Sequence, residues 1–146
     1  MSPADGMSPS GRKMKVKEAQ AERLVKELDF SKGPVTAVVR DWKTKEILMV
    51  AHQDQEAVLR TLTTGLMHYW SRSRGTLWLK GETSGHFQEV KGVLLDCDGD
   101  ALVYEVNQKT AACHKGYYSC FFRRLRGGKW EIFRKKRFEP EKVYGS

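Results

Sequence analysis

Phe87-Gln-Glu-Val-Lys-Gly-Val-Leu-Leu95, Asp96-Cys-Asp-Gly-Asp100 and Ala101-Leu-Val-Tyr-Glu-Val106 decide how this chain folds. The two outer segments are rich in Val and Leu, residues that favour a pleated, half-buried surface. Between them, Asp98-Gly99 has the chemistry of a tight turn. The stretch therefore predicts a β-hairpin with strands over 87–95 and 101–106. Closely following is Ala112-Cys-His-Lys-Gly-Tyr-Tyr-Ser-Cys-Phe-Phe122. Together these segments hold all three cysteines, three aspartates at alternate positions and one of the four histidines. Packing alone is a poor reason to interleave soft and hard metal ligands in this way.

Working outward, the hydrophobic pattern predicts further elements. Towards the N-terminus, Ala21, Leu24, Val25 and Leu28 recur at helical spacing, so a short amphipathic helix is expected within 16–28. Ser31-Lys-Gly-Pro34 breaks it. Residues 35–40 and 47–51 read as a hairpin around a polar turn. Asp54 is suited to cap a helix through Ala57, Val58, Leu59 and Leu62, with Gly65 as its stop. Strands are expected at 67–71 and 77–79, and again at 121–125, with 130–133 adding to the last. Many strands with two or three short helices make an α+β fold, a mainly antiparallel β domain. The expected organisation is a disordered tail over 1–14, one domain over 15–126 and a basic extension over 127–146.

The chain has 146 residues, which suits a single domain, and 30% of them are charged. No apolar run is long enough to span a bilayer, and the Ser- and Pro-rich N-terminus lacks the apolar centre of a secretory signal. An odd number of cysteines fits reduced thiols or metal ligands better than a disulfide framework. The expected setting is cytoplasmic, with no membrane partner. Net charge is +8. The basic runs at Arg123-Arg-Leu-Arg126 and Arg134-Lys-Lys-Arg137 suit either a solvated surface or attraction for a phosphorylated partner.

Three thiolates would favour zinc and leave one tetrahedral position for water, as in catalytic zinc sites. His114 is either a fourth ligand or a proton carrier beside that water. Asp96, Asp98 and Asp100 would share one face of an extended strand and could converge on a hard cation such as magnesium. Lys80-Gly-Glu-Thr-Ser-Gly-His86 pairs glycines with hydroxyls and a cation, which suits an anion. Upstream, Arg72 and Arg74 stand among serines and could bind phosphate, while Tyr69 and Trp70 could stack a base. A nucleic-acid module with a structural zinc is disfavoured, because the basic runs lie outside the ligand segment. A zinc deaminase is disfavoured by the missing His-x-Glu and Pro-Cys-x-x-Cys motifs.

Read together, Gln55-Glu-Ala57, His68-Tyr-Trp-Ser-Arg-Ser-Arg74, Leu77-Trp78, Lys80 to His86, Asp96 to Ala101 and Ala112 to Phe122 resemble the phosphoribosyl-AMP cyclohydrolase (HisI) family. The resemblance spans 36–123. It implies hydrolytic opening of the purine ring of phosphoribosyl-AMP between N1 and C6, in histidine biosynthesis. It implies zinc (Zn2+) on Cys97, Cys113 and Cys120 and magnesium (Mg2+) on Asp96, Asp98 and Asp100. It further implies that His114 is catalytic and that Arg72, Lys80, Thr83 and Ser84 lie near the phosphorylated nucleotide substrate. The family forms an intertwined homodimer whose zinc thiolates come from both subunits, with no nucleic-acid partner. One departure stands out: where the family commonly reads Ala-x-Met-Asn, this chain has Ala51-His52-Gln53-Asp54, placing a polar group where packing is expected. The chain is too short for the second domain fused in some relatives, so a stand-alone cyclohydrolase is expected.

Overall fold

A computed structural model describes residues 13–144; most of the tail expected over 1–14 lies outside them. The elements run α1 (Glu18–Val25), β1 (Val35–Asp41), β2 (Ile47–Gln53), α2 (Gln55–Thr64), β3 (His68–Ser71), β4 (Thr76–Leu79), β5 (Gln88–Leu95), β6 (Ala101–Gln108), β7 (Arg123–Arg126), β8 (Lys129–Ile132) and α3 (Pro140–Tyr144). The domain is α+β with mostly antiparallel sheets and three short helices.

The main sheet has the order β2-β1-β6-β5. Each outer pair is an antiparallel hairpin, as the sequence predicts. The central β1–β6 pair is parallel, with Val38 opposite Val103. This contact joins two locally formed hairpins into one sheet. Alternation along β1 buries Val35, Ala37 and Val39. They pack with Leu48, Met49, Val58, Met67, Tyr69, Val90, Leu102, Tyr104 and Val106 in one core. Area removed from water is the main favourable term here. Helix α2 contributes Ala57, Val58 and Thr61 to the buried side. Its start is capped by Asp54, whose Oδ1 accepts from the Ala57 N–H at 2.8 Å. It stops at Gly65, whose N–H donates to the Thr61 carbonyl at 2.9 Å.

Two small hairpins lie outside this sheet, β3–β4 and β7–β8. The second runs from Arg123 to Ile132, so the paired strands cross position 127, where the sequence reading divides domain from extension. Gln53 is fully buried without being an orphan. Its amide Nε2 donates to the His68 carbonyl at 2.9 Å and to Thr61 Oγ1 at 3.2 Å, and its Oε1 accepts from the Tyr104 hydroxyl at 2.8 Å. The extra polar group expected there is absorbed by hydrogen bonds. Among the described residues no helix is long and apolar enough to cross a membrane.

Candidate active site

The segment 112–120 folds as a tight loop against the edge of β2. Within it, the Ala112 N–H donates to the Tyr118 carbonyl at 2.9 Å and the Cys113 N–H to the Tyr117 carbonyl at 3.1 Å. The Cys120 N–H donates to the Leu48 carbonyl at 2.7 Å, and Ser119 Oγ donates to the Ile47 carbonyl at 2.6 Å. The Tyr118 hydroxyl donates to the Asp41 carboxylate at the turn between β1 and β2. These ties bend the loop back on itself and bring the Cys113 and Cys120 thiols near enough to influence one another electrostatically.

Cys113 is buried and Cys120 is exposed as a residue. Even so, the protein around the Cys120 sulfur pushes its thiol up to about 11, first by desolvation and then through Cys113. Lys80 sits beside the pair, its Nζ donating to the Ala112 carbonyl at 2.5 Å. Burial lowers the Lys80 pKa, and the two neighbouring sulfurs raise it. A cation placed against two soft donors reduces the cost of charging them. The donor chemistry therefore fits a soft or borderline ion such as zinc, but one chain offers only two of the three sulfurs. Cys97 is exposed on the β5–β6 turn. Among the described residues, the one set of three His, Cys, Asp or Glu ligand atoms lying within 4.8 Å of one another is that of Asp96, Asp98 and Asp100.

The three aspartates do converge, for a different reason from the one the sequence suggests. They are not on an extended strand, because β5 ends at Leu95 and β6 starts at Ala101. The chain between them curls so that Asp96 Oδ1 accepts from the Asp100 and Ala101 N–H groups at 3.2 and 3.3 Å. All three carboxylates sit on this turn, oxygen donors of the kind hard cations take.

Next to the thiol pair lies a cleft of about 200 Å³. Lys80, Thr83, Ser84 and His114 all line it, with Arg74, Trp78 and Tyr144. The loop that carries Thr83 and Ser84 closes through the Gly85 N–H, which donates to the Gly81 carbonyl at 2.7 Å. Gly81 has φ +93°, and a Cβ there would meet the Phe87 nitrogen at 2.7 Å, so only glycine permits the closure. Arg72 stands in an adjoining open cleft of about 570 Å³ with His52, Trp70, Ser71 and Ser73. Arg74 and Trp78 border both clefts. Arg74 thus brings one cation of the Arg-Ser-Arg stretch to the smaller one. No sequence pattern singles out Tyr144, a lone tyrosine outside any motif. At the far end of the loop, His86 is buried and its Nδ1 finds no hydrogen-bond partner among the described residues.

Residues 49–122 match the family model described as phosphoribosyl-AMP cyclohydrolase. The chain is 55% identical over 113 residues to the phosphoribosyl-AMP cyclohydrolase of Methanothermobacter thermautotrophicus, covering 76% of this chain and 82% of that protein. It is 53% identical over 112 residues to the enzyme of the same name from Sulfurisphaera tokodaii, covering 75% and 95%. It is also 47% identical over 124 residues to the histidine biosynthesis bifunctional protein HisIE of Thermoanaerobacter pseudethanolicus, covering 84% and 57%. The chain belongs to the phosphoribosyl-AMP cyclohydrolase family. Its members are hydrolases of histidine biosynthesis, and every residue of the loop, thiol pair and aspartate turn described above falls inside the matched region.

Proposed function

We propose that this chain hydrolyses 1-(5-phosphoribosyl)-AMP, opening the six-membered ring of its adenine between N1 and C6. The observation that carries the reading is the meeting of Cys113, Cys120 and Lys80 beside a cleft that also presents Thr83, Ser84 and His114. Cys113 and Cys120 are assigned as zinc ligands, with Cys97 of the partner subunit as the third. When bound, zinc supplies a water whose pKa is lowered to about 7. Asp96, Asp98 and Asp100 are assigned to magnesium, which offsets phosphate charge. The setting is cytoplasmic, where thiols stay reduced.

The substrate carries two phosphates, and the chain offers cations and hydroxyls to match. Thr83 and Ser84 hydroxyls donate to phosphate oxygens, and Arg72 and Arg74 add charge-assisted bonds from the β3–β4 turn. Lys80 is held by the Ala112 carbonyl, so its charge is fixed between the thiol pair and the cleft. His114 accepts a proton as water oxygen bonds to C6 and returns one to N1 as the N1–C6 bond breaks. The substrate ring is cationic through its N1 substituent, so the second water proton leaves the C6 oxygen for solvent as C6 becomes a carboxamide. The neutral product plus this proton balance atoms and charge.

Ring opening changes the purine absorbance, which makes the test direct. Purified protein should open phosphoribosyl-AMP, and a zinc chelator should abolish turnover. His114→Ala should lower turnover by about 10²-fold or more while keeping bound zinc. Full activity in a chelated, metal-free protein would overturn the zinc assignment. Zinc loss in His114→Ala would make this residue a ligand instead.

A further inference from the structure

The chain after β8 is not simply a basic tail. The Arg134 side chain donates from Nε to the Phe121 carbonyl at 3.2 Å. The Arg137 N–H donates to the Gly116 carbonyl at 2.6 Å, and Lys136 forms a bridge with Tyr117. The Arg137 guanidinium lies 4.2 Å from the Tyr118 ring centre. Phe138 then packs edge-on against His86, with ring centres 4.7 Å apart at 77°. Tyr144 lies 6.1 Å from Phe138, ring centre to ring centre. The segment thus crosses from the loop bearing the thiols to the loop bearing Thr83 and Ser84. It ends with Tyr144 on the wall of the cleft those loops form.

We propose that the C-terminal segment is part of the substrate site and that Tyr144 is a specificity-determining residue contacting the bound nucleotide. The proposal rests on reading this cleft as the nucleotide site. The cleft divides by chemistry: Lys80, Thr83, Ser84 and Arg74 suit an anion, whereas Trp78 and Tyr144 offer flat apolar faces to a base or ribose. Tyr144 lies well beyond the family match, which ends at 122. Part of the aromatic wall of the cleft is therefore supplied from outside the matched region. Phe138 is a positioning residue, acting through Tyr144 and His86.

The test compares the wild type with Tyr144→Ala and Tyr144→Phe, measuring kcat, KM, zinc content and AMP affinity by calorimetry. Tyr144→Ala should raise KM and weaken AMP binding by about tenfold, as expected for loss of an aromatic face against a base. Its kcat should change less and its zinc content should match wild type. Tyr144→Phe should recover most of the loss, because the ring and not the hydroxyl is required. Wild-type KM and AMP affinity in Tyr144→Ala would overturn the assignment. So would a joint loss of zinc and kcat, which would make the segment a purely structural strap. A wild type that binds AMP without opening phosphoribosyl-AMP would count against the reaction, and the AMP comparison would still decide the role of Tyr144.

Discussion

Gln53 occupies a fully buried position where the family pattern leads one to expect methionine. Its three partners are the Tyr104 hydroxyl, the His68 carbonyl and Thr61 Oγ1. Methionine would fill similar space but could satisfy none of them. The His68 carbonyl would keep a long bond from Thr61 at 3.3 Å, whereas the Tyr104 hydroxyl would be left buried and unpaired. Such a group costs about 1–3 kcal/mol. Gln53→Met should therefore lower unfolding free energy by about that amount in a urea titration. Stability equal to or above wild type would show that the network is dispensable. From the sequence the glutamine could be seen only as a misfit. The groups that absorb it come from α2, β3 and β6, and no local pattern reveals that they converge.

The elements formed by neighbours in sequence were the most legible. The β1–β2 and β5–β6 hairpins, the Asp54 cap and the Gly65 stop all follow from turn and cap chemistry within a few residues. The parallel β1–β6 pairing was not legible, because it joins strands far apart in the sequence, Thr36 lying opposite Ala101, with no local turn to signal it. Helix α3 is too short to show a period. For the site, the thiol pair and the Lys80 loop could be named from residue type. The docking of the C-terminal segment across them could not, since it uses backbone carbonyls. Gly116 is the clearest point of that docking. It has φ +103°, and a Cβ there would lie 2.5 Å from the Phe138 carbonyl oxygen. Gly116→Ala must strain the thiol loop or displace the segment. It should cost about 1–3 kcal/mol in stability and raise KM in the same direction as Tyr144→Ala. Unchanged melting temperature and KM together would show that the contact has no bearing on the site.

For the molecule as a whole, the missing third sulfur is the main constraint. Cys113 and Cys120 meet within one chain, while Cys97 is exposed on a turn elsewhere. Leu94 and Leu95, just before that turn, are also exposed, as are Leu125, Trp130 and Ile132 on the β7–β8 hairpin. Apolar surface of this kind is commonly covered by a partner, and the zinc assignment proposed above requires a dimer in which each Cys97 reaches the other chain's thiol pair. A heterodimer separates this arrangement from a site built within one chain. Two differently tagged chains, one Cys97→Ser and the other Cys113→Ser, are co-expressed and the mixed dimer is isolated. Each homodimer lacks a sulfur in both sites and should be inactive. If thiols are shared, the mixed dimer has one complete site, formed by the first chain's Cys113 and Cys120 with the second chain's Cys97. It should show about half the wild-type activity and half the zinc. If each chain assembled its own site, both sites of the mixed dimer would be broken, and the same preparation would show no activity at all.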